Sequence, residues 1–135
     1  MRQRNTSMPL MPNALPFVRS LFVLALIAIF ILAMIPLPEA ITVFSFQDKV
    51  EHTCAFVVLM VLGGKGWPAR LAAVACGLVA YGLAIEVCQH VFTANRVGDP
   101  WDLLADAMGA AAGWAALEAM KRRSPRHAEI TPPRA

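Results

Sequence analysis

Three groups of polar residues interrupt an otherwise apolar chain: Asp48, Lys49 and His52; Glu86 and Gln89; and Arg96, Asp99, Asp102 and Asp106. Asp48 and His52 are four residues apart, Glu86 and Gln89 three, and Asp102 and Asp106 four. On helices each pair shares a face, and the last pair continues into Gly109 and Gly113. Two chemistries are open to such a set. His52, Glu86, Asp102 and Asp106 offer imidazole and carboxylate donors for a divalent cation, with a bound water as nucleophile. Alternatively Lys49, Arg96 and a protonated His52 can grip a phosphate, the arginine through a bidentate fork. Gln89 and the carboxylates would then accept hydrogen bonds from hydroxyls or amides. The chain has no HExxH pattern, and Cys88 lies off the face of Glu86. Whether the chain is an enzyme, and which cofactor, metal or catalytic residue it uses, stays open at this stage.

The elements that must position these residues follow from hydropathy. The 135 residues are 58% hydrophobic, with a mean hydropathy of +0.57, too apolar for an ordinary soluble domain. That length accommodates one domain of four transmembrane helices at about 20 residues each. Residues 1–16 hold Arg2, Arg4, Pro9, Pro12 and Pro16 and read as a loosely ordered cytoplasmic lead. The first helix covers the apolar run from Ser20 to Ile35, with Arg19 snorkelling at its base. A cleaved signal peptide would share the basic-then-apolar pattern, but Pro36, Pro38 and Glu39 follow without a small-x-small cleavage site. Ile41–Gln47 reads as a surface segment.

Asp48 is the expected N-cap of a second helix that Gly63, Gly64 and Gly66 should stop. Pro68, in a first-turn position, opens a third helix reaching Phe92. Its Ala72, Cys76, Ala80 and Ala84 form a small-residue stripe suited to close packing. After a polar loop, a fourth helix runs from about Trp101 to Met120, its Gly109 and Gly113 packing inside the bundle. The four-helix unit spans 17–120, followed by a basic tail at 121–135. Cys54, Cys76 and Cys88 read as small buried hydrophobes, with no knuckle or disulfide spacing. Tyr81 and Met60 read as packing residues, and Trp101 as an interface anchor.

Charge asymmetry sets the expected orientation. With both termini in the cytoplasm, ten of the 12 Lys and Arg residues lie inside, leaving Lys49 and Arg96 outside. Seven of the nine acids then lie outside. The basic tails account for the formal charge of +3 through topology and contacts to anionic lipid, so no nucleic-acid partner is implied. At about 1.5 Å per residue, Glu86 lies roughly 9 Å below Phe92, and Asp106 about 6 Å below Asp102. His52 falls at a similar depth below Asp48, so three helices bring their polar residues into one outer layer.

The pattern Asp48-Lys49-x-x-His52, then Ile85-Glu86-x-x-Gln89, then Arg96-x-x-Asp99-x-x-Asp102-x-x-Ala105-Asp106-x-x-Gly109-x-x-x-Gly113 resembles the VanZ-like family. These are small bacterial membrane proteins named after a member associated with resistance to the glycopeptide teicoplanin. The resemblance covers about residues 20–118. Asp106 departs from it, standing where the family usually has asparagine. The resemblance implies an all-α, multi-pass protein of the bacterial inner membrane, associated with the cell envelope, rather than a defined reaction.

The expected architecture is therefore an integral membrane four-helix bundle, N-in and C-in, with an outward-facing polar cleft. Asp48, Lys49, His52, Glu86, Gln89, Arg96, Asp99, Asp102 and Asp106 are its expected ligand-binding residues. The expected partners are membrane lipids, including a lipid-linked cell-wall precursor. A metal-assisted hydrolase or transferase is the alternative, and a purely structural cluster another, with Arg96 pairing to Asp99 or Asp102, Lys49 to Glu86, and His52 to Gln89. A small multidrug-type carrier fits less well, because it needs a midplane charge that these helices lack.

Overall fold

The computed structural model describes residues 14–35, 46–92 and 99–123. They form four helices: α1 (Ala14–Met34), α2 (Gln47–Gly66), α3 (Leu71–Phe92) and α4 (Pro100–Arg123). No strand occurs among the described residues. The all-α, four-helix expectation is met. Most of the leading segment, the surface segment at 41–45 and the loop containing Arg96 lie outside the described residues.

α1 and α3 are long and apolar enough to cross a membrane. At 21 and 22 residues each extends about 30 Å, the thickness of a bilayer's hydrocarbon core. α1 buries no residue and exposes Leu24, Ile27, Ile31 and Leu32. α2 and α4 make the most extensive helix pair, and α1 and α3 pack around them.

The core explains why two less apolar helices lie at the centre. Phe56, Leu59 and Met60 of α2 meet Leu71 and Leu78 of α3 and Ala110 and Leu117 of α4. Gly109 and Gly113 are buried on the face of α4 that meets α2. A Cβ at Gly113 would stand 2.7 Å from the Cβ of Met60 and 2.9 Å from the Val57 carbonyl oxygen. Removing the side chain is what lets these backbones approach.

Several boundaries depart from the sequence expectation. α2 continues through Gly63, Gly64 and Gly66 instead of stopping at them. Gly63 faces Val74 and Phe22, while Gly64 faces Leu71 and Leu117, so these glycines are crossing points for three neighbouring helices. Asp48 is not the N-cap; Phe46 holds that position without a side-chain cap hydrogen bond. α3 begins at Leu71, and Pro68 sits in the turn before it. The stripe of Ala72, Cys76, Ala80 and Ala84 is exposed. The buried face of α3 instead carries Leu71, Leu78, Gly82, Ile85, Glu86 and Gln89, because one bulky ridge fills the core while the small residues point away. Cys54 and Cys76 are likewise exposed, and Cys88 is half-buried.

Candidate functional site

α4 opens with a local signal, Asp99-Pro100-Trp101-Asp102. Proline fits the first helical position because its missing N–H needs no partner there. Asp99 caps the helix: its Oδ1 accepts the Trp101 N–H at 2.9 Å. Its backbone N–H donates to Glu86 Oε2 at 2.7 Å, and its Oδ2 receives Lys49 Nζ at 2.8 Å. Asp99 thus joins α2, α3 and α4 at one point. Lys49 also pairs with Asp102 Oδ1. The Lys49 ammonium, donating directly to Asp99, holds that carboxyl below its ordinary pKa, with the Trp101 N–H adding to the effect.

A second pair lies one turn deeper. His52 Nδ1 and Asp106 Oδ1 are 2.8 Å apart, and Asp106 has 0% relative exposure. Between the pairs, Thr53 Oγ1 donates to the Lys49 carbonyl at 2.9 Å and approaches the Ala105 carbonyl at 3.4 Å. Lys49 and His52 of α2 therefore face Asp102 and Asp106 of α4, at a four-residue spacing on α4. On α3, Gln89 Nε2 donates to the Ala33 carbonyl at 3.0 Å and links the layer to α1.

The structure brings Lys49, His52, Glu86, Asp99, Asp102 and Asp106 into one connected layer, with Asp48 beside them. Two expected pairings change. Lys49 pairs with Asp99 and Asp102 rather than Glu86, and His52 pairs with Asp106 rather than Gln89. Gln89 turns to α1. The reason is shared: α2 packs chiefly on α4, so its polar residues find partners there. The proposed pairing of Arg96 lies outside the described residues.

Charge does not balance. Asp48, Glu86, Asp99, Asp102 and Asp106 supply five carboxyls to this layer against Lys49 and His52. Glu86 Oε1 and Asp106 Oδ2 are fully buried and have no hydrogen-bond partner among the described residues. Glu86 also lines an open groove of about 280 Å³ between α3 and α4, otherwise apolar apart from His90 and Asp99. One oxygen each from Asp48 and Asp102, and one His52 ring nitrogen, lie within 4.8 Å of one another. The layer can thus accept hydrogen-bond donors or a cation more readily than a bare anion.

Sequence reasoning missed Thr53 and Gly82. Thr53 sits directly after His52, the only hydroxyl on the polar end of α2. Gly82 lies one turn before Glu86, a spacing that places it on the same buried face. Comparison with family models, curated proteins and solved structures finds no match.

Proposed function

We propose that this chain is a VanZ-like, multi-pass protein of the bacterial cytoplasmic membrane whose polar layer faces outward and recognises a lipid or cell-wall precursor headgroup. Both termini would lie in the cytoplasm, as the basic residues near α1, in the α2–α3 turn and after α4 favour. Two span-length apolar helices around a less apolar pair support a membrane setting. The exposed side chains of α1, including Leu24 at 63% and Leu32 at 65%, suit acyl chains better than water.

One observation carries the recognition reading: the buried oxygens Glu86 Oε1 and Asp106 Oδ2 without partners among the described residues. A cluster serving only to tie helices together would satisfy its buried acceptors. These acceptors suit the hydroxyls, amides or amines of a headgroup. Lys49 is occupied by two carboxylates, so any phosphate falls to Arg96, the remaining base on that side of the proposed topology.

Native mass spectrometry of protein extracted gently from its own membranes tests this reading. The expected result is a retained lipid-sized mass, lost in Glu86→Gln and in Arg96→Ala while the fold persists. Retention unchanged in both variants would refute the assignment. The arrangement of Asp48, His52 and Asp102 favours a second reading, metal-assisted hydrolysis or transfer in the same layer.

A further inference from the structure

We propose that Asp48, His52 and Asp102 bind a divalent cation of the manganese–zinc class. The proposal concerns the cation alone and does not depend on headgroup recognition or on catalysis.

The three donors come from the two most closely packed helices, and their ligand atoms lie within 4.8 Å of one another. Asp48 and His52 occupy successive turns of α2, and Asp102 faces them from the first turn of α4. At metal–ligand bonds of about 2.1 Å, neighbouring donors stand roughly 3 Å apart. From separations of up to 4.8 Å, the donors have to draw together by side-chain movement. Asp48, half-exposed and with no hydrogen bond or ion pair among the described residues, is free to make it.

Behind the triad stands the arrangement that metal-binding histidines require. Asp106, wholly buried, holds His52 Nδ1, which fixes the ring and leaves Nε2 as the ligand nitrogen. Asp102 gives Oδ1 to Lys49, which leaves its other oxygen for a metal. Independently, Asp106, whose Oδ1 meets His52, and Glu86 of the same layer each keep a buried oxygen without a partner among the described residues, so the layer around the triad carries uncompensated acceptors. A bound cation supplies the missing positive charge, which a low-dielectric layer otherwise lacks. The imidazole directs the site away from magnesium and calcium, and the absence of thiolate from the triad directs it away from soft metals.

The test uses Mn2+ as the probe, because free cysteines Cys54, Cys76 and Cys88 would take up Zn2+ adventitiously. Full-length protein in detergent, stripped with chelator, is titrated with Mn2+ and followed by calorimetry and electron paramagnetic resonance. The expected result is one Mn2+ per chain, weakened at least tenfold by Asp48→Asn and by His52→Gln. Asp106→Asn should weaken binding about 10–100-fold through loss of the charge behind the imidazole. Asp48→Asn decides the matter even where a buried variant fails to fold, since Asp48 supports no described contact. Equal Mn2+ binding by wild type and Asp48→Asn, or no binding at millimolar Mn2+, overturns the site.

Discussion

Asp106 occupies the space that Gly82 leaves open: a Cβ on residue 82 would stand 2.5 Å from Asp106 Oδ2. The carboxylate is pinned on its other side by His52, so it has little freedom to withdraw. A single hydrogen at position 82 is therefore what admits a fully buried carboxylate between α3 and α4.

Gly82→Ala should consequently destabilise the protein by about 1–3 kcal/mol, the usual cost of overpacking. Gly77 on the same helix has nothing within 4 Å of its would-be Cβ. Gly77→Ala should be neutral or stabilising by up to about 1 kcal/mol, from helix propensity alone. Thermal melting of both variants in detergent checks the contrast. Equal effects would show that Asp106 moves aside.

Gly113→Val should lower the melting temperature, because its side chain would collide with Met60 and with the Val57 carbonyl. The cost should again be about 1–3 kcal/mol. Ala112→Val, on the exposed face, serves as the comparison and should melt close to wild type. Indistinguishable melting of the two would place the Gly109–Gly113 face away from α2.

Lys49 bridges one well-buried carboxylate and one more exposed one, with side-chain exposures of 8% for Asp102 and 36% for Asp99. Lys49→Met should therefore destabilise the fold chiefly through Asp102, since a stranded charge costs more where water is excluded. Adding Asp102→Asn to Lys49→Met should restore stability more than adding Asp99→Asn does. Melting temperatures of the two double variants decide it.

Acid should weaken the start of α4. The folded-state pKa of Asp99 is depressed, chiefly by its hydrogen bond from Lys49. Its contribution is complete above the ordinary carboxylate range near pH 4 and is lost as pH falls through the depressed value. The stability difference between wild type and Asp99→Asn should thus be constant near neutrality and shrink below about pH 4. A difference that persists unchanged into stronger acid would count against the Lys49–Asp99 bond.

Much of the fold was legible because long apolar runs and punctuating polar loops leave few alternatives. The boundaries of α2 were not, because glycine is read as a helix stop. In a tightly packed bundle, Gly63 and Gly64 are worth more as contact points than they cost in helix propensity. The small-residue stripe of α3 failed for a related reason. Spacing shows that Ala72, Cys76, Ala80 and Ala84 share a face, but not whether that face or the one bearing Leu78 and Ile85 turns inward. The site residues were found by their cost in an apolar setting. Their pairings were not, because depth along a helix says nothing about which neighbour lies opposite. Only the packing of α2 on α4 selects Asp102 and Asp106 as partners of Lys49 and His52.

α1 has a different relation to the rest. Tyr81 donates its hydroxyl to the Leu26 carbonyl at 2.6 Å, and Gln89 its amide to Ala33. Near the other end, Arg19 Nε donates to the Gly66 carbonyl at 2.9 Å and stacks over Trp67. These three bonds are spread along the length of a helix that buries none of its own residues. In the proposed membrane setting, apolar contact alone would scarcely distinguish a helix neighbour from a lipid neighbour, and directional bonds would then decide where α1 docks. The first helix then behaves as a clipped-on stave rather than a pillar. Cutting its clips at Tyr81, Gln89 and Arg19 would leave untouched the buried core that α2, α3 and α4 share.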